Sequence, residues 1–240
     1  MSLTKPFHER YLSRNHIPEG FALTTVEQLG LGECLSEKRQ GSLWWKSRLW
    51  FMERGLALSK GQDAKILVDF RSPWSYTENI VHHSSNFTYT YSELTIVIYD
   101  GDGKRLHTMY EQFNKNKTND VEIVAQISRY MSDVLWEYVW PKEKERFLRD
   151  EPLQLGTLYL SANSVSVGEK TFRWTEFDVV TVNQGRFLFE KIGPDGKSAS
   201  VAKVSLDKVH NVPIAWAIID ACKPIEGRKR AWYQGWFGIN

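Results

Sequence analysis

Residues 155–222 read LGTLYLSANSVSVGEKTFRWTEFDVVTVNQGRFLFEKIGPDGKSASVAKVSLDKVHNVPIAWAIIDAC. The stretch opens on strand-like residues 155–160, and Asn163 follows where a tight turn wants a residue tolerant of positive φ. Residues 164–167 alternate again, and Gly168-Glu-Lys170 reads as a turn. Residues 171–174 and 177–182 are rich in β-branched and aromatic side chains. Asn183-Gln-Gly185 and Gly193-Pro-Asp-Gly196 punctuate the strand at 186–191 as hairpin turns, and a further strand covers 198–205. The period then changes. Asn211 suits an N-cap, Pro213 fits a first helical turn, and Ala215, Ile218, Ile219 and Cys222 mark one apolar helical face. This is a run of short antiparallel strands closed by one helix.

The preceding hundred residues repeat that order. A strand at 49–52 leads through Gly55 into 56–58, Phe70-Arg71 and Trp74 match Phe172-Arg173-Trp174, and Asp102-Gly103-Lys104 matches Asp195-Gly196-Lys197. A helix follows in both. In the first run Asn119 and Glu122 form the expected capping box, with an apolar stripe of Val124, Ile127, Met131, Val134, Leu135 and Tyr138. The same landmarks in the same order point to an internal duplication. The first run carries an insertion between Trp74 and Tyr91 that contains His82-His83, read as loop residues. The organisation is an N-terminal segment at 1–39, a first unit at 40–140, a charged connector at 141–151 with room for a short helix begun by Pro141, a second unit at 152–223, and a basic-aromatic tail at 224–240. Spaced apolar positions in 21–31 are expected to pack on the first unit.

Composition narrows the class. The 240 residues are 42% hydrophobic and 25% charged, enough for a substantial core and too apolar for wholesale disorder. A net charge of +2 removes the main argument for a dedicated nucleic-acid binder. Residues 1–20 are polar, without the apolar centre of a signal peptide, and the longest apolar stretch is far short of a membrane span. Cys34 and Cys222 are too few and too distant for a disulfide framework or a metal site. A cytoplasmic setting is expected.

The second run resembles the bacterial pleckstrin-homology-like (PH-like) pattern: Leu158-Tyr-Leu160, a turn, Val165-Ser-Val167, Trp174 before an apolar strand, a glycine hairpin, then Asn211 opening the helix. Over about residues 40–223 the chain resembles a bacterial family of unknown function. Members of that family join two such units through a charged, Pro-containing linker. The resemblance implies a mainly β fold, two tandem PH-like antiparallel barrels or bent sheets each closed by a C-terminal helix. It also implies a binding or scaffolding role, and it supplies no catalytic residues.

Chemistry-bearing constellations are sparse. Adjacent His82 and His83 point to opposite faces of any strand. His8, His16, His107 and His210 lack partners in sequence and read as surface or capping groups. The Asp-Gly-Lys turns at 102–104 and 195–197 precede strands, whereas a phosphate loop opens a helix. No nucleophile elbow occurs. No catalytic, cofactor or metal residue is therefore assigned. The suggestive groups are Arg228, Lys229 and Arg230 beside Trp232 and Trp236 in the tail, and Trp44-Trp45 with Lys46 and Arg48 next to them. Cations beside Trp suit a partner surface or anionic headgroups, with packing back onto the fold as the alternative. The expected function is a non-catalytic binding or adaptor protein engaging another protein. The alternative is peripheral attachment to anionic lipid, with Lys60, Lys65 and Arg71 as further cations. Nucleic acid is a distant third.

Overall fold

Short alternating segments separated by glycine turns become strands, and the helical periods become helices. A computed structural model describes residues 25–40, 47–60, 63–85, 88–114 and 118–223. The first run builds a four-stranded antiparallel meander from β1 (Cys34–Gln40), β2 (Ser47–Met52), β3 (Gly55–Lys60) and β4 (Asp63–Asp69). A three-stranded meander follows, from β5 (Trp74–Ser85), β6 (Thr88–Asp100) and β7 (Arg105–Phe113). Helix α1 (Thr118–Val134) comes next. The second run repeats this. Strands β8 (Leu153–Leu155), β9 (Leu158–Leu160), β10 (Ser164–Val167) and β11 (Lys170–Arg173) form four strands. Strands β12 (Val179–Asn183), β13 (Arg186–Ile192) and β14 (Ser198–Ser205) form three. The run ends in a helix at Val212–Cys222. The fold is mainly β, and none of the four described sheets closes into a barrel.

Several local expectations change. The segment 155–160 is two strands, because Gly156 at φ +71° turns the chain and pairs Leu155 with Leu158. Asn163 keeps an ordinary negative φ; its turn is organised by Ser161 Oγ, which accepts from the N–H groups of Asn163 and Ser164. The apparent insertion after Trp74 is the distal part of a long β5–β6 hairpin, so His82 and His83 lie on a strand, opposite Ser92 and Tyr91. The first helix starts at Thr118, one residue before the expected cap. Its buried face includes Ile127, Met131 and Val134 from the predicted stripe, together with Tyr130, and Leu135 of that stripe is buried just beyond its end.

Pro141 does not begin a separate helix. The chain passes from α1 through a π-helical segment, Leu135–Val139, into α2 (Trp140–Leu148). Proline has no N–H to offer Glu137 and its ring crowds that carbonyl, so a widened turn just before it keeps the helix continuous. Most of the predicted charged connector is thus helical.

One apolar core runs through both runs, from Leu49, Phe51 and Phe70 to Phe187, Phe189 and Ile219. The meander β1–β4 is covered on both faces. Trp50, Met52 and Ala57 turn away from the main core onto Val26, Leu31 and Cys34, so the described part of the predicted 21–31 segment, residues 25–31, packs here. Tyr130 Oη donates to the carbonyl of Met52 at 2.9 Å, tying α1 to the β2–β3 turn. Contacts between the runs concentrate where β5 meets the 3₁₀ turn Leu206–Lys208 and where α2 meets β8.

Candidate functional site

At that junction lies a cleft of about 440 Å³. The Ser72-Pro73 turn and the start of β5 form one wall, with the β6–β7 turn beside them. Helical residues 138–146, the β8–β9 turn and His210-Asn211 complete it. Two glycines let these segments meet. A Cβ at Gly101 would lie 2.7 Å from Pro73 Cβ, and one at Gly156 would lie 2.2 Å from the carbonyl oxygen of Lys208.

Asn211 is the central connection. It stands at the cap position of α3 (Val212–Cys222), as its neighbours Pro213, Ala215 and Ile218 predict, but its side chain does not cap that helix. Its backbone is left-handed, φ +51° and ψ +48°, which Asn tolerates better than most residues. That conformation lets its N–H donate to the carbonyl of Tyr76 at 2.8 Å. Its Oδ1 accepts from the N–H of Tyr76 at 3.0 Å. Both outward backbone groups of Tyr76 are thereby satisfied by one residue from the far end of the chain.

His210, expected at the surface or as a cap, sits in the cleft wall. Its ring stacks on Tyr99 with centroids 4.5 Å apart, and Nδ1 lies 3.0 Å from Ser75 Oγ. Burial pulls its pKa below the usual imidazole value, so the ring is neutral at pH 7. A serine beside a neutral imidazole is the start of an acyl-transfer arrangement, but the triad logic needs a third group to orient the base. His210 has no carboxylate partner among the described residues, and stacking fixes its ring instead.

Trp74 contributes a buried indole. Its ring packs against Phe70 at 4.9 Å and stacks on Tyr76 at 6.0 Å, while Nε1 is buried with no acceptor among the described residues. The charged rim is mostly self-paired. Arg146 bridges Glu143 and Glu151, and Asp100 Oδ1 accepts from the N–H groups of Asp102 and Lys104. Lys142 Nζ donates to the carbonyl of Arg71. The Arg71 guanidinium is paired with Asp69 and holds that carboxyl below its ordinary value.

Trp44, Trp45, Arg228, Lys229, Arg230, Trp232 and Trp236 lie outside the described residues, as do His8 and His16. Lys60 ends β3 and Lys65 sits on β4, apart from the Arg71 turn in sequence. His83 faces Glu93 at 3.1 Å and stacks on Tyr91. His107 is half-buried on β7, its pKa lowered by burial and by the charges of Arg105 and Lys65. Cys34 is buried among apolar groups, which pushes its thiol up to about 12, and Cys222 is half-buried. No group of three or more potential metal-ligating side chains occurs among the described residues, and no described helix is long and apolar enough to cross a membrane.

Sequence reasoning used Trp74 and Asn211 only as fold landmarks and missed Ser75, Tyr99 and His210 as one constellation. The partners in the Ser75–His210 and Tyr76–Asn211 pairs are 135 residues apart, so no local spacing announces them. No curated protein matches the chain. A family of unknown function, DUF6585, is matched over residues 44–224, a span that takes in everything from β2 through α3, including the cleft-lining residues. With that span covering well over half of its length, the chain belongs to DUF6585.

Proposed function

We propose that the protein is a non-catalytic binding or adaptor protein built from two PH-like units, with the junction cleft as its recognition site for another protein. The observation that carries the reading is the cleft itself: a concave junction of about 440 Å³ lined by residues of both runs, with rim charges mostly held by ion pairs and hydrogen bonds of the chain's own. A concavity lined by aromatic and apolar side chains with few free charges matches the charge-depleted centre of a protein interface. The PH-like assignment is supported by the repeated order of four-stranded meander, three-stranded meander and helix. The units extend over about 34–148 and 153–222 on this reading.

The test is capture of tagged full-length protein from a lysate of its own host, with the eluate analysed as protein, lipid and nucleic acid. A stoichiometric protein is expected with the natural chain and not with the cleft variant Asp102→Arg/Lys142→Glu. Recovery of anionic lipid in place of protein, or metal- or nucleotide-dependent turnover by the pure protein, would overturn the reading.

A further inference from the structure

We infer that the edge of β5 at Glu78 and Ile80 receives an extended segment of the partner protein as an added strand; this rests on the protein-binding role proposed above. Strand β5 is an edge strand, bonded only to β6 within its sheet. Because Tyr76 directs its N–H and C=O outward to Asn211, the regular pairing that follows directs those of Glu78 and Ile80 outward too. Neither has a backbone partner on that side among the described residues.

Asn211 already makes the two hydrogen bonds that one residue of a neighbouring strand would make. The edge is therefore competent for pairing, and its open part continues directly from an interface the chain itself uses. It is also unprotected. Natural sheets blunt edges with Lys, Pro, bulges or shortness. Of the other described edge strands, β1, β4, β7, β11 and β14 carry Lys or Arg, while β8 and β12 span three and five residues. Strand β5 spans twelve residues with no Lys, Arg or Pro, and its pairing is regular until His83. Added main-chain bonds give affinity there, and the neighbouring cleft supplies side-chain selectivity.

The probe is a peptide of about ten residues, a strand's length with flanks, selected from a random phage-displayed library on the full chain. Amide exchange followed by NMR is the readout. In the free protein the Glu78 and Ile80 amides are expected to exchange fast, and bound peptide should slow both by at least about tenfold. Asn79 and Val81, already bonded to β6, should change less. Ile80→Pro removes an outward N–H without costing a β5–β6 bond, and Val81→Lys charges the edge at an exposed position that leaves the fold intact. Each should weaken the peptide by about tenfold or more. Failure to select any peptide, binding that leaves the two amides unchanged, amides already slow in the free chain, or protection that grows with protein concentration (a second copy on the edge) would each overturn the inference. None of these removes a host partner lost with the cleft variant, so the edge and the wider reading fail separately.

Discussion

Glu78 lies on β5 facing α1, and its carboxyl accepts from Ser128 Oγ at 2.7 Å. Burial pushes that carboxyl from 4.5 up to about 7, against the smaller opposing effect of the Ser128 hydrogen bond. Such a displacement corresponds to about 3 kcal/mol between the protonation states. The folded protein binds the proton more tightly than the unfolded chain does. The protonated carboxyl's contribution to stability is therefore fully present below pH 4.5, declines as pH rises, and is lost above pH 7. Glu78→Gln cannot ionise and still offers Ser128 an acceptor. Its stability relative to the natural chain should be near zero at pH 4.5 and should grow to about 3 kcal/mol in favour of the variant at pH 8. Urea unfolding of both proteins across that range measures it. Taking the difference cancels His107 and His210, whose depressed pKa values act with the opposite sign. A difference independent of pH, or a variant less stable than the natural chain at pH 8, would show that burial does not raise the Glu78 carboxyl.

Asn211→Gly keeps the left-handed backbone and its N–H bond to the Tyr76 carbonyl and loses only the Oδ1 acceptor for the Tyr76 N–H, for a cost of about 1 kcal/mol, whereas Asn211→Ala adds backbone strain of about another 1–2 kcal/mol; thermal unfolding of the pair separates the two effects. Gly156→Ala places a methyl against the Lys208 carbonyl in a left-handed turn, so the variant should lose more stability than any other Gly→Ala change in a described turn, read by the same melt. The His210 imidazole should titrate by NMR below the ordinary value of 6.5, and stability carried by its neutral form should fall as pH drops through that lowered midpoint. Tyr99→Ala, which opens one face of the ring, should raise the midpoint toward the ordinary value.

Much of the architecture was legible because local chemistry decides it. Gly168, Gly185 and Gly196 all adopt positive φ in the turns assigned to them, and β14 covers the predicted 198–205. What escaped was set by partners distant in sequence. Strand β1 reads CLSEKRQ, mostly polar, and its strand state comes from pairing with β2. The histidines at 82–83 looked like an inserted loop because no turn signal showed how far β5 and β6 extend. Pro141 suggested a boundary, yet a π-helical turn absorbed it. Asn211 was legible as a cap position but not as a bridge, since its partner Tyr76 belongs to the other run. The cleft exists only once both runs are assembled, and the basic-aromatic tail on which the site prediction rested lies outside the described residues.

Protein binding in the junction cleft, as proposed, can be caught in the cell by crosslinking. Its most direct test places a photo-crosslinking amino acid at exposed Ser72 on the cleft rim, or at exposed Lys170 on β11 as the comparison, in full-length protein expressed in its host. One discrete protein adduct is expected from position 72 and none from position 170. No adduct from position 72, or the same adduct from both positions, would contradict it.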